Sequence, residues 1–330
     1  MNPVEPTEIG KIRIGVSSCL LGEPVRFDGR HKRNLFMVTE LAKLVEFIPF
    51  CPEVAAGMST PRPPIQLRES SHKKEPLLAV DANNVSIDHT KAIGRAGALQ
   101  IQTLRSAQVC GYIFKSKSPS CGLYNVPIYR DRHPPRRNGR GLFASTLTDE
   151  ITDIPAVEET QLANQAQREC FIKRVVAFNR LQRAFHLLLT ITQLAEFHAS
   201  EEMTLRAHQP GLFERLQELI VQANEADLEP LTQYYRQSFL AALEIQPPMT
   251  HHRAILERIR HQLEPSLGAA QRIQLRCAID NASSLSEFDE AIEKIRRLAQ
   301  DKQNNRLTLQ SYVNPHPIEI ALRRNRSIAS

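Results

Sequence analysis

The sequence predicts an α/β protein: an N-terminal Rossmann-like, open and mostly parallel sheet with helices, followed by an all-α C-terminal domain. Three observations carry this reading. Short apolar runs alternate with amphipathic segments through the first half. After Pro155 the apolar residues keep helical spacing throughout. The 330 residues suffice for two domains of ordinary size. With 42% hydrophobic and 24% charged residues, each half can bury a core, and no low-complexity segment or internal repeat is present. We place the domains at 1–160 and 161–330.

In chain order, "IRIGV" (12–16), "FIPF" (47–50), "CGYIF" (110–114) and "VPIY" (126–129) are apolar runs suited to buried strands. Between them, "LFMVTELAKLVEF" and "TKAIGRAGALQIQTLRSA" space their apolar residues as helices do. In the second half, "RECFIKRVVAFNRLQRAFHLLL", "LFERLQELIVQA", "LTQYYRQSFLAAL", "AILERIRHQL" and "SLSEFDEAIEKIRRLA" carry helical apolar stripes. Ser286 is read as the N-cap of the last of these, with Asp289 in its first turn. His198 and His208 are read as packed or solvated helix residues.

No apolar run is long enough to span a bilayer. The opening "MNPVEPTEIG" has neither the basic nor the apolar region of a secretory signal, so a cytoplasmic protein with no membrane partner is expected. Cysteines in a reducing compartment are thiols or metal ligands, not a disulfide framework. The net charge of +6 permits nucleic-acid binding. It is concentrated in "YRDRHPPRRNGR", where Arg130, Arg132, Arg136, Arg137 and Arg140 face only Asp131. That stretch reads as a Pro-rich loop, either solvated or gripping RNA.

Three cysteines share one setting. "IRIGV" runs into "SSC", "FIPF" into "CPE" and "CGYIF" into "KSKSPSC", which puts Cys19, Cys51 and Cys121 just past the ends of three strands. Ligands of open α/β sheets bind outside the carboxyl ends of the strands, so distant cysteines can meet on one rim. Pro119 and Gly122 bend the chain around Cys121, and Lys115 and Lys117 are expected to favour its thiolate. Cys110, Cys170 and Cys277 lack this setting and are read as core. Three thiolates fit zinc completed by a histidine or a water, a four-iron cluster with one open iron, or a covalent cysteine nucleophile. His31, His72 and His133 have no short ligand spacing to any of the three. Spacing alone leaves these alternatives open.

"VSSCLLGEPVRFDG", "PFCPEVAAGMSTPRPP" and "GYIFKSKSPSCGLYNVPIY…GRGLFASTL" resemble the thiouracil desulfidase family, across roughly residues 11 to 150. The resemblance implies a 4Fe–4S cluster on Cys19, Cys51 and Cys121 with one open iron. It also favours Ser118, three residues before Cys121, as the hydroxyl that handles protons. "FHASEEMTLRAHQPGLFERL" and "SYVNPHPIEIALRRN" resemble, more loosely, a helical domain often fused to that one. "MTHHRAILERIRHQL" departs from the His- and Gly-containing helix expected there. The fusion looks like the enzymes that remove sulfur from 4-thiouridine in transfer RNA.

An open iron is a suitable Lewis acid for a soft thiocarbonyl sulfur, and water then replaces sulfide without net redox change. This chemistry needs a base. Glu53, two residues after Cys51, and Asp28, flanked by Arg26 and Arg30, are the candidate carboxylates. Arg62 in "STPRPP" is a candidate contact to phosphate or base, or else an ion pair. The expected partner is tRNA or a thiolated nucleoside or base. Free thiouracil or another small thio-compound is the alternative substrate, and a non-enzymatic cluster or RNA-binding module is the alternative class. Oligomeric state is unknown from the sequence.

Overall fold

β1 (Ile12–Ser17) buries Ile12, Ile14 and Val16, and its backbone pairs on both sides, as a central parallel strand requires. In the computed structural model, which describes residues 11–70, 77–131, 133–185 and 190–324, β1 lies between β2 (Val45–Phe50) and β5 (Tyr112–Phe114). β8 (Ala156–Glu158) closes the far side, giving the order β2-β1-β5-β8 with every pair parallel. The chain crosses from β1 to β2 on one flank and returns to place β5 on the other. The switch point therefore falls between β1 and β5, the place where such sheets bind ligands.

The segment expected as a helix over "LFMVTELAKLVEF" is shorter than its apolar spacing implies. A π-type turn over Met37–Leu41 runs into α1 (Ala42–Leu44), and the chain is extended from Val45. Pairing of Val45 with Ile12 takes the last residues into β2. A single turn, α2 (Pro52–Ala55), follows β2. α3 (Thr90–Ser106) buries Ile93, Gly97, Ile101 and Leu104 on one stripe, and α4 (Leu142–Glu150) buries Phe143, Ala144 and Leu147.

"VPIY" does not join the parallel sheet. It is β6 (Val126–Arg130) of a second, mixed sheet of order β4-β3-β6-β7, with β3 (Ile65–Glu69) and β4 (Leu77–Asp81), two strands the sequence reading left unassigned. The arginine-rich stretch expected as a loop is its edge strand β7 (His133–Gly139), antiparallel to β6. Its exposed faces and its prolines suit an edge, where an N–H can be missing at no cost to a ladder.

The chain divides into two compact units, Met1–Phe171 and Ile172–Ser330, against the expected division at 160/161. The start of α5 (Gln165–Ala184) belongs with the first unit, where the Arg168 guanidinium lies 4.5 Å from the Phe36 ring. The second unit is helical throughout its described residues: α6 (Ile191–Ser200), α7 (Glu202–His208), α8 (Pro210–Gln222), α9 (Leu228–Ala242), α10 (Met249–Leu263), α11 (Ala269–Asp280), α12 (Leu285–Asp301), α13 (Asn305–Thr308) and α14 (Pro317–Arg324). α12 is capped by Ser284, not Ser286. Ser284 and Glu287 form a reciprocal capping box, so the helix starts two residues earlier than expected. Cys110 is buried, but Cys170 is only partly covered and Cys277 is exposed on α11, so the expectation of three core thiols holds for Cys110 alone. Among the described residues no helix is long and apolar enough to cross a membrane.

His198 and His208 are both buried. His198 Nδ1 lies 3.2 Å from the Tyr235 hydroxyl, with the Phe213 ring stacked at 4.4 Å, and His208 Nδ1 lies 2.7 Å from the Ile245 carbonyl. Burial pushes their pKa values down to about 4 and about 3, so both are neutral at pH 7. The unfolded chain protonates them near the ordinary value of about 6.5, so on acidification it takes up protons before the folded chain does. Stability of the helical unit is therefore expected to fall as pH drops below about 6.5, by up to about 1.4 kcal/mol per pH unit per histidine. Urea unfolding of the full chain, followed by helical circular dichroism at about pH 7 and about pH 5, measures this. An unchanged midpoint contradicts it.

Candidate active site

Each of the three cysteines is delivered by a strand of the parallel sheet. β1 and β2 end in register, Ser17 opposite Phe50, so the residues that follow leave from the same edge. Cys19 sits in the 3-10 turn Ser18–Leu20, whose carbonyls accept from Lys32 and Asn34. Cys51 occupies the N-cap position of α2, with Pro52 at the first helical position. Cys121 follows β5 at the end of the "KSKSPSC" turn. There Ser118 Oγ accepts from the N–H groups of Ser120 and Cys121 at 3.2 and 3.0 Å.

That turn rests on the N-terminus of α4. The carbonyls of Pro119 and Ser120 accept from the N–H groups of Leu142 and Phe143, and Gly141 donates to the Gly122 carbonyl at 2.7 Å. A Cβ at Gly141 would lie 2.5–2.7 Å from the backbone of Ser120 and Cys121, which only glycine avoids. β8 braces the same loop. Glu158 accepts from the N–H groups of Leu123 and Tyr124, and Glu159 accepts from Lys115 Nζ at 2.5 Å and from the Ser116 N–H at 2.6 Å. Neither glutamate was singled out from the sequence. Their signal was a pair of acidic residues at the end of a short apolar run, which is too common to read alone.

The three cysteines line one cavity of about 400 Å³ together with Ser118, Glu53, Arg62, Lys115 and Phe27, all within the first unit. Arg62 is not an open anion contact. Its side chain is 3% exposed, and its guanidinium is taken up by Glu53, the Val25 and Ser59 carbonyls and the Thr60 hydroxyl. Glu53 accepts from Arg62 through one oxygen and from Ser120 Oγ, 2.9 Å away, through the other. Asp28 is not among the residues that line the cavity. Desolvation acts to raise its pKa, but the Arg30 N–H and the guanidiniums of Arg26 and Arg30 outweigh it and hold the carboxyl below its usual range. On the edge strand Arg136 lies 3.4 Å from Glu69; Arg130, at the end of β6, donates to the Pro134 carbonyl, and Arg140, just past β7, pairs with Asp149. Arg137 is exposed. Arg132 and His72 lie outside the described residues.

The lysines do not make Cys121 a ready thiolate. Burial and the neighbouring Cys51 raise its pKa well above the usual thiol value, and Lys115 is spent on Glu159. Burial likewise pushes Cys19 up to about 11 and raises Cys51, with Cys51 adding to the shift of Cys19. Two buried thiols and one half-buried one, each opposing the others' charge, give up their protons together only when a cation is brought to them. Among the described residues no three His, Cys, Asp or Glu side chains converge tightly enough to hold a single metal ion. A second observation concerns Tyr112. Its hydroxyl is fully buried with no hydrogen-bond partner among the described residues, and charge on any of the three sulfurs, Cys121 foremost, opposes its ionisation. A buried hydroxyl without an acceptor calls for one.

The match to the 2-thiouracil desulfurase family model covers residues 14–159. A protein of Bacillus subtilis (strain 168), the uncharacterized protein YbbK, is 31% identical over 119 residues, which is 33% of this chain and 75% of YbbK. The chain belongs to the 2-thiouracil desulfurase family. The family's match spans the whole three-cysteine rim. Residues 203–317 match a second family, described as a protein of unknown function (DUF1722). Among solved structures, the 4Fe-4S-dependent thiouracil desulfidase TudS is similar, at 31% identity over 46% of this chain and 94% of that one, with a TM-score of 0.36.

Gly141→Ala is expected to destabilise the first unit by about 1–3 kcal/mol, because the added Cβ meets the backbone of Ser120 and Cys121. The displaced turn carries Cys121, so the variant should also lose reconstituted iron. Denaturant titration and iron analysis of the variant measure both. Wild-type stability would contradict the proposed packing.

Proposed function

We propose that this protein removes sulfur from a thiolated pyrimidine by non-redox hydrolysis, using a 4Fe–4S cluster held by Cys19, Cys51 and Cys121, and that its substrate is 4-thiouridine in tRNA. The observation that carries the reading is the set of three thiols, two buried and one half-buried, that line one cavity at the switch point. The orphan Tyr112 hydroxyl beside them suits a sulfur acceptor. Held by three cysteines, such a cluster supplies an open iron that polarises a thiocarbonyl sulfur. One water adds its oxygen to the C=S carbon and sulfide leaves, so no oxidant or reductant is needed.

The chain's own residues supply the rest. Glu53, held in place by Arg62 and Ser120, is the carboxylate that faces the cavity and takes a proton from water. Ser118 Oγ accepts two backbone N–H groups, which leaves its own proton free to be donated into the cavity. Arg62 acts through Glu53 as a positioning residue. Asp28 orders the loop beside Arg26 and is left without a proton-transfer role in this scheme.

For the RNA substrate, support comes from cations in both units. In the first, Arg136 and Arg137 lie on the exposed edge strand, with Arg130 at the end of β6 and Arg140 just past β7. In the second, Arg206, Arg258 and Arg306 gather on Glu202, with Glu214 as a second partner of Arg206, so three guanidiniums meet two carboxylates there. A base inside a folded RNA must be turned out of its stack at a cost of a few kcal/mol, which contacts spread over a large surface can offset. The free base is the second reading, favoured by a cavity that lies wholly in the first unit.

Anaerobic reconstitution is expected to give about four irons per chain. Alanine at Cys19, Cys51 or Cys121 should abolish iron binding and turnover, while alanine at Cys110, Cys170 or Cys277 should spare both. Ser118→Ala should keep its iron and lose roughly 10²–10⁴-fold in turnover. Stoichiometric zinc without iron would overturn the cluster, and full activity of Ser118→Ala would leave that serine a turn former.

Incubation of the loaded protein with bulk tRNA and with free 4-thiouracil, followed by mass spectrometry, separates the two substrates. On the RNA reading, Arg136→Ala with Arg137→Ala weakens tRNA binding and reduces its salt slope by up to about two. Salt-independent binding would favour the free base.

A further inference from the structure

The three cysteine sulfurs do not share one polar environment. Burial raises the pKa of Cys19, and the neighbours that modify this shift act through their charge. Burial also raises that of Cys51, and the Val54 and Glu53 N–H groups at the start of α2 act against it. Cys121 differs, because the donor beside it is a side chain. Burial and Cys51 raise its pKa, while the Ser17 hydroxyl, within hydrogen-bonding reach, acts to lower it. Ser17 is 2% exposed and lines the same cavity. Its Oγ accepts from the Lys115 N–H at 3.0 Å, which ties the end of β1 to the loop that follows β5. That bond uses a lone pair and leaves the hydroxyl hydrogen over. Among the described residues no oxygen or nitrogen takes it.

Tyr112 is in a similar state. Its hydroxyl is buried and lacks a partner among the described residues, and its ring cannot swing to find one. A Cβ at Gly15 would lie 2.3 Å from that ring, and the rings of Phe114 and Phe143 pack on it at 4.3 and 5.5 Å. Tyr112 and Cys121 belong to one buried apolar cluster. Two buried hydroxyl hydrogens with no oxygen or nitrogen to take them are therefore gathered at the Cys121 corner of the rim. We propose that Ser17 and Tyr112 are positioning residues for the cluster, donating hydrogen bonds at the Cys121 corner, so that this ligand gives less charge to the iron than a bare thiolate would. This rests on the cluster reading and adds how the chain tunes the bound group. A hydrogen bond to a sulfur stabilises negative charge there, which is greater in the reduced state, so it raises the reduction potential. It also leaves an open iron more electrophilic toward a thiocarbonyl sulfur.

The test is a redox titration of the anaerobically reconstituted full chain, followed by the electron paramagnetic resonance signal of the reduced cluster. Ser17→Ala and Tyr112→Phe each delete one hydroxyl and leave the neighbouring side chains in contact. Each variant is expected to load its iron and to shift the midpoint to a more negative potential, with the double variant shifted furthest. Iron release from the double variant to a chelator should be about ten-fold faster than from the wild type, as loss of outer-shell partners commonly causes. Ser17→Thr keeps the hydroxyl on a residue suited to a strand end, and should hold the wild-type potential. An unchanged or more positive potential in either single variant overturns the proposal. So does an equal shift in Ser17→Thr, which would make packing at that position the cause. A folded variant that takes up no iron would make the residue structural and overturn its tuning role. A wild type that loads no iron would instead overturn the cluster reading itself.

Discussion

The Glu53 carboxylate accepts from Arg62 on one side and from Ser120 on the other, and through those two bonds it joins three loops with no sequence in common. One carries Cys51, one is the proline-lined loop of Arg62, and one is the turn that ends in Cys121. Arg62 in turn binds the Val25 carbonyl, which brings in the loop after Cys19. Removing one member of such a buried pair leaves the other charge unmatched, a loss of about 3–5 kcal/mol in comparable cases. The rim is therefore rigid before any ligand arrives. Its geometry is set by a carboxylate that also lines the cavity.

Electrostatics explains why the rim needs an occupant. Parallel strands ending in register put three thiols on one buried edge, and burial there opposes their ionisation. The nearby cations do not answer this need, since Lys115 and Arg62 are committed to Glu159 and Glu53. Positive charge must come with the bound group, and the unpartnered hydroxyl of Tyr112 waits on the same event. Lys32 and Lys117 in the cavity lining, and Arg137 on the edge strand, are exposed and make no ion pair among the described residues.

The helical unit has a different character. Its core is apolar, but His198, His208, Glu201 and Glu202 are buried within it beside their hydrogen-bond partners. Buried polar networks of this kind fix one arrangement of helices at the cost of sensitivity to pH. The surface arginines gathered on Glu202 are a consequence of that burial, since one shielded carboxylate draws several cations to its edge.

The linear order of residues determined much of this. Apolar runs of strand length, helical stripes after Pro155 and three cysteines just past strand ends are local patterns, readable because burial imposes a period on the chain itself. Tertiary structure decided what depends on partners. The second sheet was missed because "IQLRE" and "LLAVD" become strands through pairing with each other and with a proline-containing run. "VEF" left its helix because β1 claimed it, and the arginine stretch became an edge strand because β6 lay beside it. The same holds at the site. Charge near Cys121 suggested a thiolate, but desolvation is a property of the packed neighbourhood and outweighs two lysines nearby in the chain. The place of Glu53 between Arg62 and Ser120, and of Glu158 and Glu159 under the Cys121 loop, depends on residues brought together from distant parts of the chain. No local pattern encodes that.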